Sequence, residues 1–137
     1  MRSYALLRRA LEAEVLSPHG LTFNDFEAIV RLSREDGMRL RRVDLAERLT
    51  LSASGVTRLL DGLQSAGFVE KAACDSDARV TYAVLTEAGV AMLQELRAEH
   101  AAVLESLFRE SLDETEVEQL AELLGRLPGV VETLCDE

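Results

Sequence analysis

The sequence predicts a mainly α-helical fold that carries one small β-hairpin, and three observations predict it. Apolar residues make up 47% of the 137 positions, enough to bury a core. Leu, Val and Ala carry most of that content, and only two Tyr and four Phe are present, which suits packed helices better than a β-sandwich. Strand-like runs are confined to residues 68–73 and 80–85, while the rest repeats its apolar positions at helical spacing.

Residues 3–16 read as an amphipathic helix with Tyr4, Leu7, Leu11 and Val15 on one side, ended by Ser17-Pro18-His19-Gly20. Thr22 with Asp25 three positions on resembles a capping box, Asp standing for the usual Glu, and Phe23, Phe26, Ile29 and Val30 mark the buried stripe of the helix it opens. After the Asp36-Gly37 turn, Val43, Ala46 and Leu49 give a short helix. Ser52 is an N-cap for the next one. There Val56, Leu59, Leu60 and Leu63 fall at i, i+3, i+4 and i+7, leaving Ser52, Ser54, Thr57, Arg58 and Asp61 on the other side, and Gly67 closes the helix. Residues 68–73 and 80–85 are two strands joined by the polar stretch 74–79, a hairpin. A long helix from Glu87 to about Glu110 carries Leu93, Leu96, His100, Val103, Leu104 and Leu107. Asp113 with Glu116 caps a last helix through Leu127, before Pro128-Gly129.

Charge narrows the function. The chain carries −10 overall, yet Arg31 to Arg58 holds seven arginines (31, 34, 39, 41, 42, 48, 58) against Glu35, Asp36, Asp44 and Glu47, a local +3 that leaves −13 elsewhere. Such segregation presents one cationic face on an acidic body. Residues 1–20 include Arg2, Arg8, Arg9, Glu12 and Glu14, so no uncharged stretch serves as a signal or membrane span, and a cytoplasmic location is expected. Cys74 and Cys135 are too few for a disulfide framework and lack the spacing of a zinc site, so free thiols and no metal or cofactor are expected. Two histidines, no Gly-rich phosphate loop and no nucleophile motif argue against an enzyme.

Two short helices joined by a tight turn, the second with one apolar face and one face of small polar groups plus an arginine, form a helix-turn-helix, and the hairpin after it is a wing. A face of small residues approaches base edges in a major groove without clash. Ser and Thr hydroxyls donate to phosphates or bases, and Arg58 reaches guanine or a phosphate. Arg41 and Arg42 join Ser52, Ser54, Thr57 and Arg58 as candidate DNA contacts. The plainer reading leaves Ser52 as a cap and Arg58 as a solvated charge.

The runs Leu45-Ala46-Glu47-Arg48-Leu49, then Leu51 through Asp61, Leu63 and Gly67-Phe68-Val69, resemble the DNA-reading segment of the MarR (multiple antibiotic resistance regulator) family. Asp77-Ala78-Arg79, followed after six residues by Leu85-Thr86 and Gly89, resembles that family's wing signature and the start of its long helix. The resemblance covers the chain from its first helix to its last. It implies a single domain over 1–137, with a winged-helix DNA-binding lobe at 22–86 and dimerisation helices at 1–20 and 87–137. It further implies a homodimer on a pseudo-palindromic double-stranded operator, recognition helices in successive major grooves, and wings in the flanking minor groove. Ser52, Ser54, Thr57 and Arg58 are then groove-facing, Arg79 is the wing arginine and Asp77 orients it. A ligand-responsive repressor is the expected role, with small aromatic acids or phenols as effectors. Two departures matter: Gly62 and Ala78 stand where relatives often carry a basic residue, so fewer phosphate contacts and comparatively weak binding, quickly lost with salt, are expected.

His100 reads first as a packed histidine and second as an effector ligand. Cys74, beside the wing, has only Lys71 near it in sequence to lower its pKa, and the reactive cysteine of the family's peroxide-sensing branch, placed in the first helix, has no counterpart here. The alternative function is a winged helix used for protein contact without DNA, against which the arginine cluster argues. Leu6, Leu7, Leu11, Leu93, Leu96, Leu104, Leu107, Leu120, Leu124, Leu127 and Val131 exceed what one small core covers, which points to a homodimer.

Overall fold

The structure is a computed structural model and describes residues 2–73 and 80–126. Among the described residues six α-helices and three strands follow in order: α1 (Arg2–Leu11), α2 (Phe23–Ser33), β1 (Arg39–Arg41), α3 (Arg42–Arg48), α4 (Ala53–Ser65), β2 (Val69–Ala73), β3 (Thr81–Leu85), α5 (Glu87–Arg109) and α6 (Glu114–Gly125). Two compact units divide the chain, Met1–His100 and Ala101–Glu137. No helix among the described residues is long and apolar enough to cross a membrane.

The first helical segment differs from the unbroken helix expected over 3–16. After α1 the turn widens into a π-helical stretch, Glu12–Leu16, and a 3-10 turn, Ser17–His19, follows. Ser17 stabilises the wide turn twice, its N–H and its Oγ (2.8 Å) both donating to the Glu12 carbonyl. The extra residue in the turn re-phases the helix so that Val15 and Leu16 are both buried with Leu11.

Helix α2 starts where Thr22 and Asp25 predict. The Thr22 N–H donates to Asp25 Oδ2 (2.8 Å), and the Asp25 N–H donates to Thr22 Oγ1 (3.3 Å). Its buried face is Ala28, Ile29 and Leu32, whereas Phe23 and Phe26 are half-buried.

In α3 the structure corrects the expected face. Leu45 is fully buried with Leu49, while Val43 is 57% exposed. Both sets have helical spacing, and seven residues are too few for periodicity to choose between them.

Ser52 caps α4, its Oγ accepting from the Gly55 N–H at 3.1 Å. Val56, Leu60 and Leu63 point into the core. Gly67 ends the helix with φ 81°, a left-handed conformation that glycine adopts without penalty. Its N–H donates to the Gln64 carbonyl and that of Phe68 to the Leu63 carbonyl, each at 3.0 Å, which satisfies two end carbonyls.

The sheet has three strands, not the two of the predicted hairpin. Strand order is β1-β3-β2, all antiparallel, with Leu40 opposite Ala83 and Lys71 opposite the same residue on the other side. β1 is three residues long and turns only Leu40 inward, so it has no period to detect in sequence. β3 thus becomes the central strand.

A joint at Thr86 ties α4, the hairpin and α5 together. Thr86 N–H donates to the Phe68 carbonyl (3.0 Å), and Thr86 Oγ1 donates to the Gly67 carbonyl (2.7 Å) while accepting from the Gly89 N–H (3.1 Å). Gly89 packs so closely that a Cβ there would stand 2.3 Å from the Phe68 carbonyl oxygen. The Leu85-Thr86-x-x-Gly89 motif is therefore a packing requirement.

In residues 101–126, Asp113 and Glu116 cap α6 reciprocally, each N–H to carboxylate distance being 2.9 Å. α6 closes at Gly125, and Leu127 lies outside the described residues.

Candidate nucleic-acid interface

Helices α3 and α4 are joined by Leu49-Thr50-Leu51. The Leu51 N–H donates to the Ala46 carbonyl at 2.9 Å, and Thr50 takes φ 54° to reverse the chain. With Val56, Leu60 and Leu63 turned inward, the opposite side of α4 faces solvent: Ser52, Ser54 and Arg58 are exposed, and Thr57 is half-buried. Tertiary contacts bring Arg42, the first residue of α3, to this face. Its guanidinium donates to Thr57 Oγ1 at 3.4 Å, and that hydroxyl donates to the Ala53 carbonyl at 2.8 Å. Ser52 Oγ lies 3.2 Å from Ser54 Oγ, so the two hydroxyls share a hydrogen bond at the start of α4.

The arginine cluster is not uniform. Arg31 pairs with Glu27 at 3.3 Å, and Arg48 pairs with Glu35. Arg41 is held by both Asp44 oxygens, at 2.6 and 2.8 Å. Hydrogen bonding to Asp44, then its charge, raises the Arg41 pKa above its ordinary value. Arg39 stacks 5.2 Å from the centre of the Tyr82 ring. Among the described residues, Arg42 and Arg58 have no carboxylate partner. Asp61, the acidic residue of the α4 face, is neutralised by Lys71 Nζ at 2.5 Å. Lys71 on β2 is a cation that periodicity did not single out, because its pairing with Asp61 spans ten residues. Gly62 is exposed, with open space where a side chain would stand.

Arg79, its expected orienter Asp77, and Cys74 lie outside the described residues. The flanks of the wing are described: a cleft of about 100 Å³ lies among Arg41, Arg42, Val43, Val80 and Thr81.

An apolar cavity is lined by Leu11, Val15, Leu16, Phe23, Phe26, Leu96 and His100. Its free space is about 20 Å³. His100 meets Phe26 edge-on at 6.2 Å between ring centres, and burial lowers its pKa, so the neutral imidazole is favoured. Arg8 lies 4.6 Å over the Phe23 ring.

The profile of the MarR family matches residues 21–81. The crystal structure of AbsC, a MarR family transcriptional regulator from Streptomyces coelicolor, is similar at 34% identity with a TM-score of 0.72, covering 96% of this chain and 86% of that one. A MarR variant from Escherichia coli complexed with operator DNA is similar at 26% identity and TM-score 0.66, over 90% of this chain and 86% of that one. Among curated relatives, the HTH-type transcriptional regulator MhqR of Bacillus subtilis is 28% identical over 109 residues, which is 80% of this chain and 73% of that protein.

Proposed function

This chain belongs to the MarR family and is a DNA-binding transcription regulator with a winged-helix fold, not an enzyme; from that premise we propose that it represses transcription as a homodimer on a pseudo-palindromic operator. The observation that carries the DNA-contacting assignment is that Arg42, against Thr57 of the α4 face, and the exposed Arg58 have no carboxylate partner among the described residues. A guanidinium already held by a carboxylate attracts a phosphate weakly, because its charge is cancelled at short range. Arg41 therefore contributes less than Arg42. Arg58 reads or clamps the DNA, Ser54 and Thr57 fit against the groove, and Ser52 both caps α4 and leaves its helix N-terminus open to a phosphate.

Arg79, oriented by Asp77, reaches the minor groove from the wing and adds affinity with an A·T preference, since that groove distinguishes little else. Residues 22–86 form the reading lobe, and the helices of 1–20 and 87–137 join two chains. Leu6, Leu123 and Leu124, all exposed, supply part of that joining surface.

A small aromatic or phenolic effector matches the chemistry of the cavity around Phe26 and His100. About 20 Å³ holds little more than one water, so such a ligand binds only if the aromatic side chains swing aside. A protein that clamps an operator while this cavity is collapsed, and loosens when it is filled, is a ligand-relieved repressor.

The test begins with DNA selected from a random pool by the purified protein, which yields the operator. On that operator, Arg58→Ala weakens binding by about 1–3 kcal/mol with folding unchanged, the size of a lost charge-assisted base or phosphate contact. Arg79→Ala makes the slope of log affinity against log salt shallower by roughly one to two, counting both subunits. No enriched sequence, together with salt-independent binding to a protein partner, would favour a winged helix used for protein contact instead.

A further inference from the structure

Away from the nucleic-acid interface, His19, Glu95 and Glu99 each offer a ligand atom, and these atoms all lie within 4.8 Å of one another. His19 ends the 3-10 turn after α1, where Gly20 at φ 70° reverses the chain and its N–H donates to the Ser17 carbonyl at 3.0 Å. Glu95 and Glu99 stand four residues apart on α5, so they share one helix face. His19 Nε2 lies 3.0 Å from Glu99 Oε2 across 80 residues of sequence.

We propose that His19, Glu95 and Glu99 form a binding site for a divalent transition-metal ion of the Zn²⁺ class. Ligands at about 2.0–2.2 Å from such an ion stand roughly 3–4 Å apart, so the present arrangement needs only small rotamer changes to close. One imidazole with carboxylates suits zinc and its neighbours. Calcium and magnesium prefer oxygen-only sets, and copper(I) prefers sulfur. Three protein ligands leave a position for water, as in open zinc sites.

A hydrogen bond between His19 and Glu99 explains two of the three residues. It leaves Glu95 unexplained, since a second carboxylate four residues from Glu99 adds like-charge repulsion to α5. A cation removes that repulsion. The His19 side chain is only 17% exposed, so the imidazole is held in place rather than sampling solvent. Leu96 and His100, the α5 residues of the apolar cavity, directly follow Glu95 and Glu99. A bound ion would fix that wall of the cavity to the α1–α2 connection.

Isothermal titration of the full chain, stripped with a chelator and titrated with ZnCl₂ in a non-coordinating buffer at neutral pH, tests the site. One Zn²⁺ binds per chain at micromolar concentration and raises the melting temperature. His19→Gln, Glu99→Gln and Glu95→Gln each weaken binding at least about tenfold, a change typical of a disturbed metal shell. Glu95→Gln is the decisive arm, because it leaves the His19–Glu99 hydrogen bond intact and tests the third ligand alone. Equal affinity in Glu95→Gln and wild type overturns the proposal. So does the absence of saturable binding, or binding that disappears only when Cys74 and Cys135 are replaced by serine.

Discussion

The first hundred residues and the stretch 101–126 treat their apolar side chains in opposite ways. In the first, Ile29, Leu32, Leu45 and Leu96 are wholly buried, so one chain completes its own core. In the second, no described residue is buried, and Leu123 and Leu124 on α6 are 57% and 43% exposed. The contrast separates two physical tasks. Holding a reading helix at a fixed angle requires a core filled by the same chain, because interiors transmit strain only when close-packed. Helices that leave apolar surface uncovered have their packing partner elsewhere, and a second copy is the most economical one.

The largest expected effect breaks this contrast at its exposed end. Leu124→Asp weakens the proposed dimer by at least about 3 kcal/mol, because a two-fold interface counts each substitution twice and a buried leucine is worth about 1.5–3 kcal/mol. Light scattering across a dilution series reads the change, and near-ultraviolet dichroism of the first hundred residues stays native. A dimer that persists unchanged would place the interface elsewhere.

Gly89→Ala strikes the self-contained half. The new methyl group meets the Phe68 carbonyl and Leu85 at once, so α5 must shift against the hairpin and stability falls by about 1–3 kcal/mol. Urea denaturation measures it, and an unchanged midpoint would mean that the joint yields freely.

Gly62→Lys sharpens the interface itself. The site is exposed and open on α4, so the substitution adds a cation to the side proposed to face DNA and removes a mid-helix glycine. Stability rises by roughly 0.5–1 kcal/mol, and the salt slope of operator binding steepens by about two per dimer. A gain in stability with no change in slope would show that Gly62 faces away from DNA.

The smallest effect concerns pH. His100 has a folded pKa below its unfolded value, so it is neutral in both states above about pH 6.5 and contributes nothing there. As pH falls below that value the unfolded chain takes up the proton first, and stability declines until the folded imidazole also titrates. His100→Leu flattens this decline, which thermal melts between pH 7.5 and 5 would detect. An equally steep decline in the variant would assign the pH dependence to other groups.

Where hydrogen bonds close within a few residues, the sequence was enough. The Thr22–Asp25 and Asp113–Glu116 boxes, the Ser52 cap and the left-handed Gly67 depend on local geometry, and each formed as its residue types dictate. The α4 stripe was legible for the same reason, since thirteen residues give periodicity enough turns to fix a face.

Other features needed the tertiary structure. β1 exists because β3 offers it a partner, and its three residues carry no pattern of their own. Leu45 rather than Val43 is buried because α3 is too short for its spacing to choose a side. The seven arginines of the basic window are equivalent in sequence, and only folding assigns Asp44 to Arg41 and Glu35 to Arg48 while leaving Arg42 and Arg58 without a carboxylate among the described residues. His19 meets Glu99 across 80 residues, a distance at which no local rule operates. Periodicity and capping act within one or two turns of a helix. Which charges are cancelled and which ligands converge is decided by the packing that brings distant segments together.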